Sequence, residues 1–146
     1  MARKETHKRF KGSAGNNRKS GDDFLVLNAK KNGVIETESG LQYVILENAI
    51  GTNPSQHAVV KIHQRVLLLN GTILEDTYKT NKAIDVSVSE LLEGLQEGIQ
   101  KMPVGSRFRF WLPPDLAWGK KGSSDRIPPY AVIQFDIRLI EICSDY

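Results

Sequence analysis

Two alternating segments late in the chain constrain its fold most. RFRFWL, from Arg107 to Leu112, alternates charged and apolar side chains. AVIQFDIRLIEI alternates again, with Ile133, Phe135, Ile137 and Leu139 on one face. A period of two marks a half-buried strand, because successive side chains point to opposite sides of a sheet. Upstream, SELLEGLQEGIQK sets Leu91, Leu92, Leu95 and Ile99 at helical spacing, which predicts a helix beginning near Ser89 with one apolar face. Ser87 and Glu90 stand in capping-box spacing, Ser89 is the alternative N-cap, and Pro103 and Gly105 stop the helix.

The preceding chain reads as more strand. GLQYVILENAIG puts Leu41, Tyr43 and Ile45 on one face and turns near Gly51. AVVKIHQRVLLL is a long strand that ends at Asn70-Gly71, a hairpin signal because both residues tolerate positive φ. TILEDTYKTNK holds a strand start and an irregular loop, and AIDVSVS alternates with Ile84, Val86 and Val88 on one face. LPPDLAWG and KKGSSDRIPPY read as loops, bounded by prolines and glycines. The count is five or six strands and one main helix, an α+β arrangement in which the hairpin favours an antiparallel sheet covered by the helix.

The order of helix, strand, aromatic loop, IPP loop and closing strand resembles the FKBP-type peptidyl-prolyl isomerases. The family pattern runs VI-x-GW-x-EG, M-x-VG-x-(R/K), P-x-x-(L/Y)-AYG, IPP and F-(D/E)-x-x-L. This chain has LL-E-GL-Q-EG, MPVGSR, PPDLAWG, IPP and FDIRL in the same order. GLQYVIL resembles the first strand of bacterial members such as the Mip, FkpA and FklB proteins, so the resemblance covers Phe24 to Ile142. It implies an FKBP-like twisted antiparallel half-barrel of five to six strands wrapped around one main helix. It also implies isomerisation of Xaa-Pro bonds in proline-containing polypeptides, with no cofactor, no metal and no covalent catalytic residue.

Carried over motif by motif, the resemblance implies a pocket formed by Gln64, Leu74, Glu75, Ile84, Leu91, Leu92, Leu95, Trp118, Ile127 and Phe135. Leu92 would offer its backbone N–H to a ligand carbonyl. Trp118 stands where the family has the tyrosine of AYG, and its indole N–H still donates. Glu75 stands for an aspartate. Gln64, Leu74 and Leu95 stand where the family has a tyrosine, a phenylalanine and a tryptophan. Losing those rings removes rigid wall area, so the expectation is turnover below that of members with the full aromatic set and weak or no macrolide binding. A non-catalytic proline-peptide-binding or scaffolding module is the alternative. Read without the family, Leu91, Leu92, Leu95 and Phe135 are ordinary core positions. Glu75-Asp76 reads as a polar hairpin exit rather than a metal or acid pair, and nothing in the spacing sets Cys143 against His57 or His63 as a nucleophile and base.

Charge divides the chain. The whole carries 20 basic and 17 acidic side chains, a net +3. Residues 1–20 hold Arg3, Lys4, Lys8, Arg9, Lys11, Arg18 and Lys19 against Glu5 alone, so the remainder is mildly acidic. Residues 1–21 read as a disordered basic tail, either solvated or an electrostatic arm for RNA or the ribosome. Residues 22–146 form the domain, opening with a short helix over FLVLNAKKN capped by Asp22 or Asp23 and ended by Gly33. In bacterial relatives this position ends a longer dimerising helical arm; without it, the helix is expected to pack on the domain and the protein to be a monomer. No apolar run approaches the ~20 residues of a membrane helix. The basic N-terminus has no apolar h-region and there is one cysteine, so a cytoplasmic location is expected.

Overall fold

The computed structural model describes residues 14–145. Helix α1 (Ala14–Ala29) leads into strands β1 (Ile35–Glu36), β2 (Gln42–Glu47), β3 (Val59–Leu68) and β4 (Ile73–Asp76). A short helix α2 (Thr77–Thr80), strand β5 (Ile84–Ser87), helix α3 (Glu93–Ile99) and strands β6 (Arg107–Leu112) and β7 (Ile133–Ser144) follow. The strands form one antiparallel sheet of seven in the order β1-β2-β6-β7-β3-β4, with β5 paired to β3. The strand beyond the expected five or six is β1, whose two residues are too few to show an alternation. No helix among the described residues is long and apolar enough to cross a membrane.

The two alternating segments lie side by side, with Phe110 opposite Phe135 and Arg109 opposite Asp136. Phe108 and Phe110 point inward and are buried, as are Ile133, Phe135, Ile137 and Leu139. The outward side chains of the same strands form a charged cluster. Arg107 donates from Nε and Nη2 to the two carboxylate oxygens of Asp136 at 2.8 and 2.9 Å, and Arg109 adds a bond at 3.1 Å. Two guanidinium groups offset the desolvation of a carboxylate that is almost wholly buried. The hairpin forms at Asn70-Gly71, where Leu68 N–H donates to Thr72 O at 3.0 Å and Gly71 takes φ 92°.

Helix α3 crosses the concave face of β6 on two glycines one turn apart. A Cβ added at Gly94 would lie 2.5 Å from Leu112 Cγ, and one at Gly98 would lie 2.6 Å from Phe110 Cε1. Leu95 and Ile99, on the adjoining stripe, fill the core. The helix begins later than its spacing predicts. A 3-10 turn occupies Val88–Glu90, Leu91 is extended, and Leu92, at φ −54° and ψ 148°, is the N-cap without a side-chain bond. Ser87 makes no capping bond either. The capping-box spacing therefore marks the 3-10 turn, and burial of Leu91 and Leu92 against the sheet overrides their helical spacing.

The end of the basic segment, from residue 14 on, also differs from expectation. Residues 1–13, with Arg3, Lys4, Lys8, Arg9 and Lys11, lie outside the described residues. From Ala14 the chain is helical, eight residues ahead of Asp22, and neither Asp22 nor Asp23 is a cap. The helix packs on the domain as expected, through polar and small groups. Asn28 Nδ2 donates to Gln42 Oε1 at 2.8 Å, and Gln42 Nε2 donates to Leu25 O at 2.8 Å. Gly21 lies against Val132.

Candidate functional site

A cavity of about 500 Å³ opens between the start of α3, the β3–β4 hairpin and the loop before β7. Gln64 and Val66 of β3 and Phe135 of β7 supply the sheet wall, since the even positions of β3 and the odd positions of β7 face inward. Leu91, Leu92 and Leu95 form the opposite wall, and Leu74 and Glu75 reach in from β4. Trp118, Ser123, Ser124, Arg126 and Ile127 close the rim from the long loop, with Glu90 beside Leu91.

Local bonding fixes these groups. Ser123 and Ile127 exchange both backbone bonds, at 2.9 and 3.1 Å, which pins the Ile127 side chain inward. Only glycine fits at 122, where φ is 69° and an added Cβ would lie 2.2 Å from Ile127 O. Gln64 is clamped through its backbone, whose N–H donates to Thr77 Oγ1 at 2.7 Å. Its side-chain Nε2 donates to Glu75 Oε2 at 3.1 Å, which draws a carboxylate along the wall. Arg126 Nη2 donates to Leu74 O at 2.8 Å across the mouth. Trp111 donates its indole N–H to Gln134 Oε1 at 3.0 Å, whereas no described residue accepts that of Trp118. The backbone N–H of Leu92 likewise meets no acceptor among the described residues.

The structure thus brings together Gln64, Leu74, Glu75, Leu91, Leu92, Leu95, Trp118, Ile127 and Phe135, and leaves Ile84 out. The reason is register. β5 pairs with the Val59–Ile62 end of β3, placing Ile84 opposite Ile62, while the cavity is built on Gln64 and Val66. Sequence reasoning missed Val66, Glu90, Ser123, Ser124 and Arg126. Val66 shares a face with Gln64 by the period of two, so the signal was there. The three loop residues follow no period.

The other candidate chemistry is not assembled. His63 lies on the outer face, with Nδ1 2.9 Å from Thr77 Oγ1 and its ring stacked on Tyr78 at 5.2 Å. Cys143 is exposed beside Asp85, and desolvation together with that carboxylate holds its thiol above the ordinary range. A thiol held neutral is a poor nucleophile. Asp76 accepts from Lys79 N–H at 3.1 Å as the cap of α2, the structural role of a hairpin exit.

A sheet curled over one short helix, with an apolar bowl at its mouth and, at the bowl's edge, a backbone N–H that meets no acceptor among the described residues, defines a small antiparallel α+β domain with one open cavity. The comparisons give the family. The model described as FKBP-type peptidyl-prolyl cis-trans isomerase matches residues 51–140, and the one described as the domain amino terminal to it matches residues 1–45. The chain belongs to the FKBP-type peptidyl-prolyl cis-trans isomerase family. It is 40% identical to the FKBP-type peptidyl-prolyl cis-trans isomerase FkpA of Aeromonas hydrophila over 86% of this chain and 47% of that protein. It is 34% identical to the FKBP-type 22 kDa peptidyl-prolyl cis-trans isomerase of Escherichia coli over 84% of this chain and 59% of the other. Among solved structures, FkpA from Escherichia coli superposes with a TM-score of 0.86 at 25% identity, covering 93% of this chain and 63% of that one. A peptidyl-prolyl cis-trans isomerase from Pseudomonas syringae superposes with a TM-score of 0.83 at 25% identity, covering 89% of this chain and 96% of that one. The chain spans about half the length of the curated relatives it matches.

Proposed function

We propose that the bowl takes an Xaa-Pro segment of a polypeptide and lowers the barrier to rotation about its imide bond. The observation that carries this reading is an apolar cavity with a polar N–H at its edge, that of Leu92, which meets no acceptor among the described residues. The barrier is ~18–20 kcal/mol because amide resonance is lost on twisting. The twisted bond is less dipolar than the planar one, so an apolar enclosure favours it relative to the ground state, and only such differential binding speeds the step. The Leu92 N–H holds the carbonyl of the residue before proline. Leu95 and Phe135 hold the ring, and Trp118 and Ile127 exclude water from above. No nucleophile, metal or cofactor takes part in this mechanism.

The names of the matched relatives support the same activity for this chain. Gln64, Leu74 and Leu95 make the bowl less aromatic than the family pattern, so turnover is slower and macrolide binding weak. The test is an isomerisation assay over a panel of Xaa-Pro peptides at several protein concentrations. A rate that rises with protein supports the enzyme. Saturable peptide binding with no rate above background leaves a non-catalytic binding module. RNA contact through the basic arm is a separate reading, and Arg18 and Lys19 already face Tyr130 and Asp23. A salt titration against labelled RNA decides it, because phosphate contacts weaken as salt rises.

A further inference from the structure

We propose that Arg18 is a positioning residue: through Tyr130 it braces helix α1 against the loop that carries Ile127, and so sets the shape of the pocket from outside it. The proposal rests on the isomerase reading only for its kinetic consequence. Three observations carry it. First, the Arg18 guanidinium carbon lies 5.0 Å from the centre of the Tyr130 ring, in cation–π contact. Asn17 Nδ2 reaches Pro129 O at 3.5 Å, and Gly21, one turn on, lets the helix touch Val132 and the Tyr130 carbonyl. The helix therefore meets the loop at each residue from Pro129 to Val132 save Ala131.

Second, Tyr130 is held at φ 59°, a left-handed conformation that a large side chain adopts only where its surroundings impose it. Its N–H donates to Gly119 O at 3.1 Å, the residue after Trp118. Ile127 stands three residues before it, across Pro128 and Pro129, whose fixed φ makes the linker stiff. A displacement of Tyr130 is thus passed to both rim residues of the bowl, Trp118 and Ile127. Third, a cavity of about 120 Å³ lies where the helix and the loop meet the β3–β4 hairpin at Leu68 to Asn70. The contact is made at a few points instead of by continuous packing, so one of those points can control the loop.

The experiment compares the full chain with Arg18→Gln, which keeps length and polarity but loses the cation, and Arg18→Lys, which keeps the cation. Hydrogen exchange is read at the amides of Ile127 and Tyr130, with Val60 and Ile62 of β3 as internal controls. Kinetics on one Xaa-Pro peptide and the melting temperature are taken on the same samples. Arg18→Gln is expected to speed exchange at Ile127 and Tyr130 by about fivefold, the size of a lost cation–π contact, while β3 is unchanged. It is expected to raise KM by a similar factor with the melting temperature nearly constant, and Arg18→Lys is expected to recover most of both. Unchanged exchange at Ile127 and Tyr130 overturns the brace, as does a change spread evenly over the sheet. A wild-type chain that turns over no peptide overturns the isomerase reading alone, because the exchange comparison still decides the brace.

Discussion

Gly98 rests directly on the ring of Phe110, so close that a methyl group at 98 would lie 2.6 Å from its edge carbon. Helix propensity alone favours alanine over glycine by ~1 kcal/mol, whereas overpacking a buried contact costs ~1–3 kcal/mol. Packing wins here, because Phe110 is fully buried and has no room to retreat. Gly98→Ala should lower the melting temperature by several degrees. A thermal melt that rises instead would mean that the ring yields.

Phe135 and Trp118 face the same cavity from different supports. Phe135 belongs to the central strand and is buried, so Phe135→Ala should cost ~3–5 kcal/mol in stability as well as peptide binding. Trp118 sits on a loop and is half-buried, so Trp118→Ala should raise KM by about tenfold while leaving the melt nearly unchanged. Chemical denaturation and kinetics on both variants check the division. An unfolded Trp118→Ala protein would make that indole a core residue.

The less aromatic bowl can be tested by gain. Leu95 is buried at the base of a cavity with about 500 Å³ of space, which leaves room for a larger ring. Leu95→Trp, together with Gln64→Tyr and Leu74→Phe, should increase kcat/KM on Xaa-Pro peptides. It should also tighten macrolide binding by more than tenfold, on the order of one aromatic anchor per site. Titration calorimetry with a macrolide reports the second effect directly.

Tyr78 makes stability depend on alkaline pH. Desolvation, followed by the Asp136 carboxylate, pushes its phenol up from 10.0 to about 12. The folded state therefore keeps a proton that the unfolded chain gives up, so the contribution is complete below pH 10.0 and is lost as pH rises toward about 12. Tyr78→Phe should flatten this part of the pH–stability curve, at the expense of the hydroxyl bond to Asp136 O at 3.3 Å. Urea midpoints for the two proteins across that window measure the difference.

Much of this arrangement was legible in the residues because it repeats. β6 and β7 announce themselves by alternation, and Asn70-Gly71 by turn chemistry. What escaped had no repeat to show. Helix α1 docks through Asn17, Gly21 and Asn28, polar or small residues that make no apolar stripe, and Gly21 falls within the stretch that reads as a basic tail although it is a point of contact. Leu91 and Leu92 carry helical spacing, yet packing against the core holds them ahead of the helix. Ile84 alternates correctly, but only the register of β5 on β3, which sets it opposite Ile62, places it outside the bowl.

The sheet order has a consequence for synthesis. β7 pairs with β6 on one side and along nearly the whole of β3 on the other, from Val59 opposite Ser144 to Leu68 opposite Ile133. It is translated after both neighbours, so a growing chain holds β3 and β6 with their central hydrogen-bonding edges open. The half-barrel cannot close until Ser144 has left the ribosome, and the closure joins segments far apart in sequence, the slow kind of folding step. This domain must therefore complete its fold after release of β7, with its own open edges as the hazard in the interval.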